Sequence, residues 1–238
     1  MNSYHQPELA LVMPVYNEQA SVRKVVMEWF QEIENWTENF CLIAIDDGSK
    51  DATHEILLRL REQLGSRFEV ISRENRGHGQ SCLQGYQIAC ERKIPYVMQI
   101  DSDGQCDPQY FFRFWRDRDK FDVIYGFRYR RDDGLKRVFA SYILRATLLI
   151  FAKVWCIDAN VPYRLMKTTV LHNVLNLIPK TFFLSNVAVA VLLRREGCKE
   201  GNVAIRFRER YGGEPSVRLS NFGNKAGELI AQLYSMQR

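Results

Sequence analysis

The chain has 238 residues, 46% hydrophobic and 26% charged, with a formal net charge of +5. A domain averages about 100–200 residues, so this length can bury a full core. The ordinary apolar content, with 14 Gly and 7 Pro, excludes collagen-like, low-complexity and largely disordered chains. A membrane-spanning helix needs about 20 mostly apolar residues, and the best candidate, Val138 to Ile157, is interrupted by Arg145 and Lys153, so no span is expected. The first residues lack the basic start and apolar run of a signal peptide, which points to the cytoplasm. The six cysteines (41, 82, 90, 106, 156 and 198) form no C-x-x-C pair, and are expected to be free, small, buried hydrophobes.

In chain order, the first 130 residues alternate strand and helix. Leu9 to Val15 is a short apolar run that breaks at Asn17. Val22, Val25, Val26, Trp29, Phe30 and Ile33 then recur at the spacing of one helical face. Phe40 to Ile45 is a second strand, ending at Asp46-Asp47-Gly48-Ser49. Asp51 can cap a helix carrying Ile56, Leu57, Leu60 and Leu64. Phe68 to Ser72 is a third strand. Ser81 to Arg92 is a third helix, whose Ser81, Gly85 and Ala89 leave one side small enough for close packing. Tyr96 to Ile100 is a fourth strand ending at Asp101, Asp107-Pro108 opens a further helix, and Phe121 to Gly126 is a fifth strand.

After Arg128 the alternation stops. A polar loop to Gly134 leads into an apolar helix with Phe139, Ile143, Leu148, Ile150, Phe151 and Trp155. Asn186 to Leu193 reads as helix, Val203 to Phe207 as strand, and Leu219 to Met236 as a closing helix. Strands apolar on both faces and separated by helices predict an α/β fold with a mostly parallel central sheet flanked by helices. With no internal repeat and no clear linker, residues 1–238 are expected to form one domain.

In such sheets ligands bind beyond the carboxyl ends of the strands. The polar clusters fall there. Asp101, Asp103 and Gln105 offer oxygen ligands at alternate positions, which suits a hard cation such as Mg²⁺ or Mn²⁺. A cation bridging a diphosphate there would neutralise the charge that develops as the diphosphate leaves. The blander reading is an acidic turn. An EF-hand is excluded, because position six from Asp101 is Cys106 instead of Gly and position twelve is Phe112 instead of Glu. Asp46 and Asp47 can accept hydrogen bonds from a base or ribose, or simply shape a strand-to-helix turn. Asn75-Arg76-Gly77-His78-Gly79 supplies two glycines and a fixed positive charge, with His78 read as a polar loop residue. Six basic residues against two acids from Arg128 to Arg145 give a local excess of +4, and Arg206, Arg208 and Arg210 form a second group. Concentrated Arg fits phosphate or an anionic membrane surface, against the alternative of a solvated face.

Four segments, 12–18 (Val-Met-Pro-Val-Tyr-Asn-Glu), 45–53 (Ile-Asp-Asp-Gly-Ser-Lys-Asp-Ala-Thr), 75–79 and 98–105 (Met-Gln-Ile-Asp-Ser-Asp-Gly-Gln), together resemble the family 2 glycosyltransferases, a GT-A fold group using nucleotide-diphospho sugars. The resemblance is firm over residues 8–130. It implies a Rossmann-like nucleotide-sugar half (1–130) and an acceptor half (131–238). It implies that Pro14, Tyr16, Glu18, Asp46, Asp47, Arg76, Gly79 and Ser102 frame a GDP- or UDP-linked donor, and that Asp101, Asp103 and Gln105 hold the metal. The second half is similar to the polyprenol-phosphate sugar transferases of the dolichol-phosphate mannose synthase type. Gly126-Phe127-Arg128 stands where that group has Gly-Ser-Arg, and Arg137 with Ser141 matches an Arg-x-x-x-Ser pair. Asp158 to Arg164 resembles Asp-x-x-Ser-Gly-Phe-Arg, with Val161-Pro162-Tyr163 replacing Ser-Gly-Phe. Phe207 to Ser216 resembles Phe-x-x-Arg-x-x-Gly-x-Ser-Lys, with Val217 replacing Lys. By this resemblance Asp101, Asp103, Arg128 and Asp158 are the expected catalytic residues. Arg137, Ser141, Arg164, Arg208, Arg210 and Ser216 are the expected acceptor or phosphate contacts.

The resemblance further implies inversion by direct displacement. A hydroxyl acceptor then needs a general base, whereas a phosphate monoester carries about 1.5–2 negative charges and needs none. From Ala159 to Arg195 there is no Asp or Glu. This favours a polyprenyl (undecaprenyl or dolichyl) phosphate, unless Asp103 or Glu209 supplies the base. Two alternatives stay open: a family 2 transferase acting on a glycan hydroxyl in cell-surface polysaccharide synthesis, and a nucleotide-sugar-binding subunit without turnover. A nucleotidyltransferase is disfavoured because Pro14 to Glu18 stands where its Gly-rich basic loop belongs. A lipid acceptor implies peripheral attachment at the cytoplasmic face. Val138 to Trp155 can lie in the interface with Arg137, Arg145 and Lys153 toward headgroups, or attachment can run through a membrane-protein partner or a homodimer. No nucleic acid is expected as a partner.

Overall fold

The computed structural model describes residues 6–128, 142–179, 184–212 and 231–232. Its strands are β1 (Leu9–Val15), β2 (Phe40–Asp46), β3 (Phe68–Ser72), β4 (Tyr96–Gln99), β5 (Val123–Arg128), β6 (Arg164–Lys167) and β7 (Glu200–Ile205). Its helices are α1 (Val22–Glu34), α2 (Thr53–Leu64), α3 (His78–Glu91), α4 (Phe111–Asp117), α5 (Thr168–Leu175) and α6 (Ser185–Arg195). The strands form one sheet in the order β3-β2-β1-β4-β6-β5-β7. All pairings are parallel except those of β6, which runs antiparallel between β4 and β5.

β1 and β2 are buried at every residue, which is why their sequences are continuous apolar runs. Pro14 fits inside β1 for a specific reason. The Val12 carbonyl accepts from Ile100 N–H, so Val12 and, two residues on, Pro14 face the β4 side. Pairing with β4 ends at Val12, so the missing Pro14 N–H forfeits no ladder bond. α1 buries Val22, Val25, Val26, Trp29, Phe30 and Ile33, the apolar face read from its spacing. α3 packs so closely on β1 that a Cβ at Gly85 would lie 2.2 Å from Val12 Cγ1. Asp51 accepts from Thr53 N–H at 3.0 Å at the start of α2. Asp107 accepts from Gln109 N–H at 3.1 Å, starting a 3₁₀ turn that leads into α4. Cys41, Cys82, Cys90, Cys106 and Cys156 are buried, Cys198 is half-buried, and all six are free thiols.

Several boundaries differ from the sequence expectation. α3 starts at His78 instead of Ser81, because Gly77 supplies the left-handed turn (φ +92) that lets the helix begin there. β7 lies at Glu200–Ile205 instead of Val203–Phe207, in parallel register with β5. β6 was not anticipated: four residues, Arg-Leu-Met-Lys, are too few for a period to emerge. Residues 142–152 are helical, ending in a π-helical turn at Leu148–Ala152. The rest of the expected 138–155 helix, and the closing helix but for residues 231–232, lie outside the described residues. Among the described residues, no helix is long and apolar enough to cross a membrane.

Candidate active site

The parallel strands deliver their carboxyl ends to one edge, and the polar clusters collect on it. The loop after β1 is fastened to the loop after β2. Asn17 N–H donates to Ser49 Oγ at 3.0 Å, Lys50 N–H to Asn17 Oδ1 at 2.8 Å, and Glu18 N–H to Thr53 Oγ1 at 2.8 Å. Asp46 accepts from Ser49 N–H at 3.1 Å and pairs with His54 Nδ1 at 2.9 Å. Pro14 is buried at the end of β1 and Tyr16 is half-buried just beyond it.

Asp47, expected to frame the nucleotide, meets groups of the 73–77 loop. It is buried, and both carboxylate oxygens are engaged within the chain. Oδ1 accepts from Arg73 Nε at 2.8 Å and Arg76 N–H at 3.0 Å, and Oδ2 from Gly77 N–H at 2.7 Å. Its work is to shape the 73–77 loop. That loop leaves the Arg76 side chain exposed and brings Gly79 into the first turn of α3.

At the end of β4, Asp101 and Asp103 come together with groups from three other segments. Asp101 Oδ1 lies 2.9 Å from His78 Nε2. Asp103 Oδ1 accepts from Gln105 N–H at 3.0 Å, and its Oδ2 meets Arg210 Nη1 at 3.3 Å. Glu18, 5% exposed, accepts from Ser21 Oγ at 2.6 Å and pairs with Arg210 Nη2. Ser102 is buried, and its carbonyl accepts from Ser21 Oγ at 3.1 Å, tying this loop to the start of α1. Burial, reinforced by the Asp101 charge, pushes the Asp103 carboxyl up to about 6, against the Gln105 N–H and Arg210. Burial also raises Glu18, with Ser21 and Arg210 opposing. Burial alone would lower the His78 imidazole, but Cys82 and the Asp101 carboxylate outweigh it and lift it well above the ordinary histidine value.

Repelling carboxylates in a partly buried pocket are the donor chemistry a hard divalent cation relieves. Among the described residues no three His, Cys, Asp or Glu side chains are gathered into a cation cage. A divalent cation can also be held by one or two carboxylates together with substrate phosphates. Asp101 and Asp103 fit such a role, with Gln105 half-buried beside them.

The expected acceptor residues are redistributed. Arg164 is fully buried in β6 and donates to the carbonyls of Asn186 (2.9 Å), Ala159 (3.1 Å) and Val161 (Nε, 3.0 Å). Expected among the acceptor contacts, it stands here as a core strut. Asp158 is held by Arg128 in a two-point pair at 2.8 and 3.0 Å, which anchors the end of β5. Arg128, expected to be catalytic, spends its fork on that pair and stacks 5.2 Å from the Phe207 ring. Arg208 bridges Glu28 at 2.7 Å and the Gly104 carbonyl at 3.3 Å. Arg210 stays at the acidic cluster. Arg137, Ser141 and Ser216 lie outside the described residues. Sequence reasoning missed His78, because nothing in a lone loop histidine signals an aspartate 23 residues later. It also missed the buried Tyr86–Gln99 hydrogen bond (2.6 Å) beneath Asp101, whose signal was a glutamine inside an apolar strand.

The comparisons with known proteins agree with this architecture. The family profile described as Glycosyl transferase family 2 matches residues 10–191. An undecaprenyl-phosphate 4-deoxy-4-formamido-L-arabinose transferase of Edwardsiella ictaluri is 24% identical over 227 residues, covering 94% of this chain and 67% of that protein. The Photorhabdus laumondii protein of the same description is 27% identical over 143 residues, covering 59% of this chain and 43% of its own length. This chain thus spans between about two-fifths and two-thirds of such relatives. Among solved structures, glucosyl-3-phosphoglycerate synthase from Mycobacterium tuberculosis, in complex with Mn²⁺, UDP and phosphoglyceric acid, superposes with a TM-score of 0.67 at 18% identity. That match covers 96% of this chain and 78% of the other. The same enzyme with Mn²⁺, UDP and glucosyl-3-phosphoglycerate gives 0.65. With the family profile running through all the strand-tip clusters, the chain belongs to glycosyl transferase family 2 and carries its GT-A fold.

Proposed function

We propose that this chain moves a sugar from a nucleotide-diphosphate donor to a polyprenyl phosphate, with a divalent cation, Mg²⁺ or Mn²⁺, held at Asp101 and Asp103 and assisted by Gln105. The observation that carries the acceptor is that the curated relatives are described as undecaprenyl-phosphate transferases. The donor reading rests on the meeting of Glu18, Asp101, Asp103 and Arg210 at the ends of β1 and β4. Asp46, Tyr16 and Arg76 border the nucleotide, and the chain is one domain in which β6 and β7 of the second half complete the sheet begun by the nucleotide half.

When bound, the cation supplies charge neutralisation to the leaving diphosphate. The chain's own residues do the rest. Asp47 holds the 73–77 loop so that Gly77 and Gly79 allow close backbone approach. His78 fixes the Asp101 carboxylate. In the transfer, an acceptor phosphate oxygen forms a bond to the sugar's anomeric carbon as the bond from that carbon to the nucleoside diphosphate breaks. The electron pair leaves with the diphosphate. Because the acceptor is already anionic, no general base is required, which accords with Asp158 being spent on Arg128.

The reaction takes place at a membrane surface, on the cytoplasmic face. Tyr142 (62% exposed), Ile150 (67%) and Trp155 (61%), with Ile143, Leu149 and Ile157, form an exposed apolar run interspersed with Arg145 and Lys153. That mixture suits an interface of acyl chains and anionic headgroups. The test is product analysis with radiolabelled UDP- and GDP-sugars and undecaprenyl or dolichyl phosphate. Label extracted into the lipid phase supports the proposal. Transfer only to saccharides refutes the acceptor, and donor binding without turnover on any acceptor refutes the enzyme reading.

A further inference from the structure

The segment leaving β7, residues 206–212, turns back across the 101–105 loop. Arg208 N–H donates to the Gln105 carbonyl at 3.0 Å, and Tyr211 N–H to the Asp103 carbonyl at 3.1 Å. The Tyr211 ring covers Gly104, where a Cβ would stand 2.5 Å from it. The Tyr211 hydroxyl lies 3.0 Å from both carboxylate oxygens of Glu28, and Lys24 sits 3.8 Å over the ring. This strap is therefore anchored on α1 and on the loop itself. It fixes the Arg210 guanidinium between two carboxylates, Nη2 on Glu18 and Nη1 on Asp103 at 3.3 Å, with Nε donating to the Gly212 carbonyl at 2.6 Å.

We propose that Arg210 is a positioning residue that acts as the resident counter-ion of the cation site, held on Asp103 by the 206–212 strap and displaced from it when a divalent cation enters. The inference rests on the reading of Asp103 as a cation ligand. Two positive groups cannot share one carboxylate oxygen without mutual repulsion, so the cation and the guanidinium compete. A diphosphate arriving with the cation offers Arg210 a new anionic partner. Cation and nucleotide therefore bind with positive coupling, and the cation alone binds only weakly. Glu18 retains its second contact, Ser21, through the exchange, and the strap's backbone bonds to the loop keep Arg210 within reach.

The experiment measures Mn²⁺ binding to the intact chain by calorimetry and by the electron-spin signal of free Mn²⁺, with and without UDP or GDP. Wild type should bind Mn²⁺ weakly alone and more tightly with one of the two nucleotides. Arg210→Gln should bind Mn²⁺ alone about tenfold more tightly, within the usual range of coupling between sites, and should lose most of the nucleotide's enhancement. Circular dichroism and thermal melting report whether the variant is folded. Arg210→Lys, whose single ammonium cannot hold both carboxylates, should shift in the same direction by a smaller factor and stands in if the first variant does not fold. Mn²⁺ affinity that is unchanged or weaker in these variants, while wild type still binds Mn²⁺ with nucleotide, overturns the counter-ion role and leaves the cation reading standing. Absence of Mn²⁺ binding to wild type with either nucleotide overturns both.

Discussion

Replacing Asp103 by Asn should stabilise the metal-free protein at neutral pH even though it weakens a contact to Arg210. The carboxyl rises to about 6 in the folded chain, chiefly through burial, from an ordinary value of 3.8. Between those values the folded state keeps a proton that the unfolded state has released. Stability from this group is therefore intact below about pH 4 and is lost as pH climbs through about 6. Roughly two units of displacement correspond to about 3 kcal/mol. An amide keeps the acceptor for Gln105 N–H but carries no charge, so it escapes this cost. The rise to about 6 is already net of the favourable Arg210 contact, so no further subtraction is made for it, and Arg210 keeps Glu18. The net expectation is a gain of about 3 kcal/mol at pH 7.5 and no gain, or a small loss, at pH 4. Urea unfolding of both proteins in chelator across this range measures it. A variant-minus-wild-type difference that is flat with pH, or that shrinks as pH rises, would refute the reasoning. The same variant should lose metal-stimulated transfer, since a neutral amide is a poor substitute for a carboxylate ligand.

Arg164→Met should lower stability by about 3 kcal/mol, because it strands the buried Val161, Ala159 and Asn186 carbonyls; a urea midpoint equal to wild type would contradict the strut role. Gly85→Ala should cost about 1–3 kcal/mol, since its Cβ collides with Val12 and either β1 or α3 must shift; this is read as a lowered Tm. The triple change Leu149→Ser, Ile150→Ser and Trp155→Ser falls on exposed positions, so stability should stay within about 0.5 kcal/mol per site. Co-sedimentation with vesicles containing anionic lipid should drop sharply, and undiminished binding would sink the membrane-surface reading.

Much of the nucleotide half was legible from residue order alone. Runs such as Leu9–Val15 and Phe40–Asp46 are buried on both faces, so they announce parallel strands without any need for alternation. α1 displays its face because its one apolar stripe meets the core while the rest meets water. Since parallel strands all end on one edge, the acidic tips had to converge there. β6 stayed hidden for a different reason. It is four residues long and takes its place from its neighbours, filling the gap between β4 and β5.

The division at the site follows the same logic. Side-chain type and position in sequence determined that Asp46, Asp101, Asp103 and Glu18 would stand at strand tips, because a local pattern fixes where a strand stops. Which cations those carboxylates meet was decided only by tertiary packing. Arg164, Arg208 and Arg210 look alike as letters, yet one is sealed in the core on carbonyl oxygens, one is tied to Glu28, and one lies between Glu18 and Asp103. A guanidinium's role is set by which anions lie within about 3 Å of it. Those partners come from segments as far as 192 residues away in the chain, a separation over which sequence carries no geometric signal.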